Sequence, residues 1–330
     1  MNNKDVLDLR WHGKLPENYG QVFDEIAYLI RKEFIELIEQ VSSSMNNNLD
    51  WWVEGPASRN YFSSPLFHYC CSLIFIEKLI EKTLQKQLDI SSIKKICIAL
   101  SGGIDSTLIL TLIKKTIPDI KVDAISIKFA NSIDETENAS KIAAKLEANH
   151  HIIYVENYLR ELPKAISIIK LPFWDLHWYY VVKKSQSLSK HLASGDGGDE
   201  LFGGYTFRYK KFLTLTNTNS TPLEKAKAYL LCHERDRVPD QEKLFGKKSK
   251  FSWESIYEKL IGYFDNTLSP IEQVFLADYN GKLLYNFNPI NTKILNHFDV
   301  KPISPLLSED MISYALSIPS QYKYDKTKNI

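Results

Sequence analysis

Ser101-Gly102-Gly103-Ile104-Asp105-Ser106 separates two apolar runs of the 330-residue chain, "KICIAL" before it and "TLILTLI" after it. A β-branched run that ends in paired glycines and resumes with helical spacing reads as a strand, a sharp turn and a helix. Glycine lets the backbone come close to a ligand. The helix opening near Asp105 aims unpaired N–H groups and its positive dipole end at the turn. Ser101 and Ser106 add hydroxyls, and Gly102 and Gly103 add bare amides, so the turn makes a cradle suited to a polyphosphate. The Gly-Lys-[Ser/Thr] element of a Walker A loop and the third glycine of a dinucleotide fingerprint are missing, and an acid stands where the former has lysine. That substitution points to a bound metal as the neutralising charge. A tight turn with Asp105 as a simple helix cap is the competing reading of the same residues.

A second cluster strengthens the first. "SGDGGDELFGGY" (194–205) holds Asp196, Asp199 and Glu200 among five glycines. A merely solvated acidic turn needs no ordered apolar residues, yet Leu201, Phe202 and Tyr205 follow the acids at helical spacing. Such a turn suits a metal-bearing wall opposite the first loop. Mg²⁺ is commonly held by one or two carboxylates plus phosphate oxygens and waters, and Asp105 and Asp199 are the pair assigned to it.

SGGxDS resembles the PP-loop of the ATP pyrophosphatases, enzymes that split ATP between its α and β phosphates. Ser101, Gly102, Gly103, Asp105 and Ser106 match it letter by letter. SGDGGDELFGGY is similar to the second ATP-site signature in the synthetase domain of the asparagine synthetase family, which includes β-lactam synthetases and lasso-peptide cyclases. The resemblance runs from about residue 93 to the C-terminus. Within it, "CHERDRVPDQEKLFG" (232–246) and "ISPLLSEDMISYALSIP" (303–319) look like the helical region of stand-alone archaeal-type members. The resemblance implies ATP and Mg²⁺ as cofactors, with Mg²⁺-pyrophosphate on Asp105 and Asp199 and phosphates on Ser101, Gly102, Gly103 and Ser106. It places Leu100, Ile127, Ser194 and Gly195 around the adenosine. Asp196 stands beside the acyl-adenylate and the incoming amine, whose proton it accepts. The implied reaction is ATP-dependent amide formation on a small-molecule carboxylate, aspartate or a related acid, with release of pyrophosphate and then AMP.

Three departures qualify the match. The chain begins "MNNK", without the N-terminal catalytic Cys of a glutaminase domain, so ammonia is expected from outside or from a separate glutaminase. The run before SGDG, "SLSKHLA", carries Lys190 and His191 where an apolar strand is usual. The family's phosphate-steadying lysine lies beyond a helix that would start near "DKTKNI", where this chain stops; Lys323, Lys326 and Lys328 read as solvated.

Around these loops, "KVDAISIKF" (121–129) and "HHIIYV" (150–155) read as strands and "DETENASKIAAKLEAN" as a helix. Strands alternating with helices predict a doubly wound α/β fold, a parallel sheet of the Rossmann-like, adenine nucleotide α-hydrolase-like kind. Residues 1–92 are expected as a helical N-terminal extension, 93–215 as the ATP-binding core and 216–330 as a helical C-terminal part. His150 and His151 point to opposite faces of a strand, so no metal site is expected of them. Arg235 and Asp236 read as an ion pair bracing two helices.

Composition narrows the class. With 41 basic and 40 acidic residues the chain offers no broad field for nucleic acid or anionic membrane, and neither is expected as a partner. No apolar run reaches the roughly 18 residues of a membrane span. Cys70, Cys71, Cys97 and Cys232 lack metal-type spacing and read as buried free thiols in a reducing, cytoplasmic setting. Other readings stay open: amidation of a sugar acid or peptide carboxylate, a non-catalytic ATP-binding subunit, and a tRNA-modifying PP-loop enzyme. The purified chain is expected not to hydrolyse glutamine, and any amidation to rise with ammonium concentration; glutamate release from glutamine would refute this.

Overall fold

The sheet forms because short apolar stretches are buried on both faces. In the computed structural model, β1 (Lys95–Ala99), β2 (Lys121–Phe129), β3 (Asn149–Val155), β4 (His191–Ala193) and β5 (Lys301–Ile303) lie parallel in the order β3-β2-β1-β4-β5. The structure describes residues 65–88, 93–130, 134–171, 176–233, 243 and 250–324, with side chains from residue 75 onward. Residues 1–64 of the expected N-terminal extension, the Arg235–Asp236 pair, Lys326 and Lys328 lie outside the described residues, as do the side chains of Cys70 and Cys71.

Alternation along β1 supplies both faces. Ile96, Ile98 and Leu100 enter one core with Val122 and Ala124, beneath α1 (Pro65–Gln87), α2 (Ile104–Thr116) and α3 (Thr136–Lys145). Cys97, Ile125 and Leu192 enter the other, beneath α4 (Leu162–Ile169), α5 (His177–Gln186) and α11 (Asn288–His297). A sheet covered twice is why its strands read as near-continuous apolar runs. The doubly wound expectation holds. Cys97 and Cys232 are buried, their thiols donating to Ser185 O and Ala228 O, and among the described residues no helix is long and apolar enough to cross a membrane.

Two elements depart from the reading of the sequence. The last helix of the segment read as an extension belongs to the main core: Ile80, Leu84 and Leu88 of α1 and the turn after it are almost fully buried there. In the C-terminal part, expected to be helical, Lys301–Ile303 adds a strand to the sheet. Three residues including Pro302 make a poor strand pattern, but β5 is an edge, where a missing N–H is tolerated.

The other α-helices among the described residues are α6 (Gly198–Phe202), α7 (Thr206–Leu215), α8 (Pro222–Leu231), α9 (Trp253–Phe264), α10 (Pro270–Ala277), α12 (Glu309–Ser317) and α13 (Ser320–Lys323). Thr221–Glu224 and Ser269–Glu272 capping boxes, each followed by proline, fix the starts of α8 and α10. Between α10 and α11 the chain widens into a π-helix, Asp278–Phe287.

The order of strands sets where a ligand can sit. The chain moves outward from β1 in both directions, so the crevice of this topology opens beyond the carboxyl ends of β1 and β4. Ser101–Ser106 follows β1 and Ser194–Tyr205 follows β4. Since Leu84 is fully buried, Leu84→Ala is expected to cost about 2–5 kcal/mol in urea denaturation, as a core residue does; a loss under about 0.5 kcal/mol, typical of a surface site, would detach α1 from the core.

Candidate functional site

The loop after β1 is held by its own hydroxyls. Ser101 N–H donates to Ser106 Oγ at 3.3 Å, Gly103 N–H donates to Ser101 Oγ at 3.2 Å, and the two hydroxyls lie 3.2 Å apart. Ser106 is buried and donates to Gly103 O at 3.3 Å. Gly103 is the N-cap of α2 and makes no side-chain cap bond, and Asp105 lies in the first turn. Asp105 is therefore not the helix cap that the competing reading required.

The loop after β4 meets this turn at its glycines. A Cβ on Gly195 would stand 2.7 Å from the Asp105 carbonyl carbon and 2.8 Å from Ser106 N. A Cβ on Gly198 would stand 2.5 Å from Asp105 Cγ and 2.7 Å from each carboxylate oxygen. Real Cβ atoms do not approach other atoms so closely, so both positions require glycine for the loops to touch. The two motifs, read separately in the sequence, form one site.

Charge accumulates there. Burial, together with the charges of Asp199 and Glu200, lifts the Asp105 carboxyl to about 6. Burial also lifts Asp196 to about 7, with Glu200 and Asp105 adding to the rise, while the hydrogen bond from Ser194 Oγ at 2.8 Å opposes it. Asp199 is raised by burial and by Glu200, against the pull of Lys282 and Arg208. Repelling carboxylates at a crevice are a donor set for a hard cation. Among the described residues no group of three or more His, Cys, Asp or Glu encloses a metal. A pair of neighbouring carboxylates such as Asp105 and Asp199 is compatible with Mg²⁺, which takes one or two carboxylates and fills its remaining positions with phosphate oxygens and water.

Other assigned residues sit differently. Leu100 is almost fully buried in the core under α1 and α2, so only its backbone reaches the loop. Ile127 lies near the carboxyl end of β2, half-buried against the opposite core. Ser194 is buried; its N–H donates to Ile303 O at 3.0 Å and its hydroxyl is committed to Asp196. Lys323, expected to be solvated, is half-buried: burial pushes its amine down to about 7, against Glu272, and its Nζ lies 5.5 Å from the Phe275 ring centre. His150 and His151 do point apart, toward Ser126 and Ser140 and toward Asp123 respectively.

A cationic flank was missed. Lys282 Nζ is 2.9 Å from Glu200 Oε1 and also contacts the Tyr205 hydroxyl, which donates to Glu200 at 2.6 Å. Lys282 and Arg208 lie 3.7 and 3.4 Å from the Tyr205 ring centre. Tyr205 is recognisable at the end of the motif, but Lys282 lies 77 residues away and nothing local marks it.

The family profile described as asparagine synthase matches residues 76–330. The chain is 30% identical over 190 residues to asparagine synthetase [glutamine-hydrolyzing] 1 of Bacillus subtilis, covering 52% of this chain and 29% of that protein. It is 34% identical over 111 residues to putative asparagine synthetase [glutamine-hydrolyzing] 2 of Methanocaldococcus jannaschii, covering 32% and 22%. The matches thus span less than a third of either relative. Among solved structures, an NH3-dependent NAD synthetase from Campylobacter jejuni aligns with a TM-score of 0.29 and 18% identity, over 59% of this chain and 98% of that one.

The clustered acids have a consequence for stability. Their folded pKa values exceed the usual 3.8, so the folded chain binds more protons than the unfolded one and stability falls as pH rises from about 4 to about 7. Asp105→Asn is therefore expected to raise the melting temperature of the ligand-free protein, more at pH 8 than at pH 5. A fall at pH 8 would contradict the repulsion.

Proposed function

Because this chain belongs to the asparagine synthase family, we propose that it is a carbon–nitrogen ligase that activates a carboxylate with ATP and transfers the acyl group to ammonia or an amine. The observation that carries this reading is the contact of Asp105 with Gly195 and Gly198, which joins the two loops at the sheet's switch point. A carboxylate resists amines because it is anionic and its oxygen leaves poorly. In the first step a carboxylate oxygen attacks the α-phosphorus and the bond to the bridging oxygen breaks, releasing pyrophosphate. In the second, the amine nitrogen attacks the acyl carbon, the carbon–oxygen bond to AMP breaks, and a proton leaves the nitrogen.

Each residue has a part that its surroundings support. The amides and hydroxyls of Ser101, Gly102, Gly103 and Ser106, at the amino end of α2, receive phosphate oxygens. Asp105 and Asp199 hold Mg²⁺, which when bound neutralises phosphate charge. Leu100, Ile127, Ser194 and Gly195 border the adenosine. Asp196, held near neutrality, accepts the amine's proton, since a base works best with a pKa close to the working pH. Aspartate or a related small acid is the carboxylate proposed, with ammonia supplied externally.

Pyrophosphate release from ATP and Mg²⁺ with a panel of carboxylic acids tests the proposal. Asp105→Asn and Asp199→Asn are expected to lower that release by roughly 10²–10³-fold or more. Asp196→Asn is expected to keep carboxylate-dependent ATP–pyrophosphate exchange while losing amide formation, and wild-type kcat/KM to rise with pH through about 7. Near-normal turnover in the Asp105 or Asp199 variant would overturn the metal assignment, and amide formation by Asp196→Asn at the wild-type rate would overturn the base.

A further inference from the structure

The apolar pattern of β2 breaks at one place. Val122 and Ala124 face the core beneath α1 and α2, and alternation brings Ser126, buried, to the same side. Its hydroxyl donates to Leu100 O at 2.5 Å, the carbonyl that enters the Ser101–Ser106 loop. His150 Nε2 lies 2.7 Å from Ser126 Oγ, and His150 Nδ1 lies 2.9 Å from Ser140 Oγ on α3.

Counting protons fixes the direction of this chain. Ser126 has one hydroxyl proton and gives it to Leu100 O, so Nε2 must be the donor to Ser126. In a neutral imidazole Nδ1 is then bare and accepts from Ser140, whose alternative acceptor is Thr136 O at 2.8 Å. Burial and the neighbouring His151 both lower the His150 pKa, favouring the neutral ring. Protonation would return the Ser140 proton to Thr136 O and leave the bond to Leu100 untouched.

The same helix makes a second tie. Asn138 Nδ2 donates to Gly102 O at 2.9 Å, and the Ala139 amide nitrogen would lie 3.1 Å from a Cβ on Gly102, whose φ is +80°. In a trans peptide the C=O and the following N–H point opposite ways. Drawing the carbonyl of residue 100 toward Ser126 on β2 and that of residue 102 toward Asn138 on α3 turns the amides of Ser101 and Gly103 away from those partners. There, among the described residues, they donate to the hydroxyls of Ser106 and Ser101, at 3.3 and 3.2 Å.

We propose that His150, as its Nε2–H tautomer, is a positioning residue that acts through Ser126 on the Leu100 carbonyl and presets the loop amides for an anionic ligand. The ligand arm of this proposal rests on the ATP reading above; the loop arm does not. Full-length variants His150→Phe, His150→Gln and Ser126→Ala and the double variant His150→Phe/Ser126→Ala test it, by calorimetry with Mg-ATP and by amide exchange at residues 101–106 without ligand. His150→Phe and Ser126→Ala should each weaken Mg-ATP by roughly three- to tenfold and speed loop exchange. Gln, with an N–H for Ser126, should restore much of both, and the double variant should cost no more than either single one. Ring nitrogen NMR should show a protonated Nε2 and a bare Nδ1 at neutral pH. His151→Gln, on the opposite face, should leave loop exchange unchanged. Wild-type affinity and loop exchange in His150→Phe, additive losses in the double variant, failure of Gln to restore loop exchange, or the Nδ1–H tautomer would each overturn the proposal. If the wild type binds no Mg-ATP, the ATP reading fails, and loop exchange alone then decides the role of His150.

Discussion

How closely two turns can approach governs the crevice. Asp105 is packed backbone and side chain against Gly195 and Gly198, leaving no room for even a methyl group between the loops. This contact places three carboxylates within electrostatic reach of Asp105 or of one another, and it exists only because β1 and β4 are hydrogen-bonded neighbours whose carboxyl ends stop together. The sheet order, the glycine content of both motifs and the raised carboxyl pKa values are thus facets of one steric fact.

The acidic loop would be less tolerable without its cationic flank. Lys282 and Arg208 oppose the rise in the Asp199 pKa, and both cations lie against the Tyr205 ring, with Lys282 also paired directly to Glu200. Lys282 comes from the π-helix, whose wider turn also carries Asp278, a buried acid that accepts the Tyr229 hydroxyl at 2.7 Å. Departures from α geometry of this kind tend to occur where side chains must be aimed rather than merely packed. Ionic contacts here serve to orient the loop, since desolvating such groups offsets much of their attraction.

What was legible in the sequence was local. β1, β2, α2 and α3 follow from apolar spacing and turn residues, because each is long enough to show its period and buries a continuous stripe. β5 was not legible: three residues carry no period, and its pairing with β4 is a tertiary choice. The integration of α1 was hidden for a related reason, since an amphipathic helix shows that it has an apolar face but not what covers it. At the site, Ser101, Asp105, Asp196 and Asp199 are visible as motif letters. Lys282 and His150 are not, because their partners Glu200 and Ser126 lie far away in sequence.

β5 also affects when the protein can finish folding. The Ser194 amide that opens the acidic loop bonds Ile303 O, its hydroxyl lies 3.4 Å from that of Ser304, 110 residues later, and Leu307 fills the space beside Gly197. Contacts of such long range form slowly, because the intervening chain must first be ordered. At roughly 5–20 residues per second of synthesis, the loop after β1 leaves the ribosome many seconds before the edge strand that completes the opposite wall. For that interval the nascent chain carries half a site, with its acids not yet brought into mutual repulsion. Ordering of the wall is coupled to the arrival of the last strand.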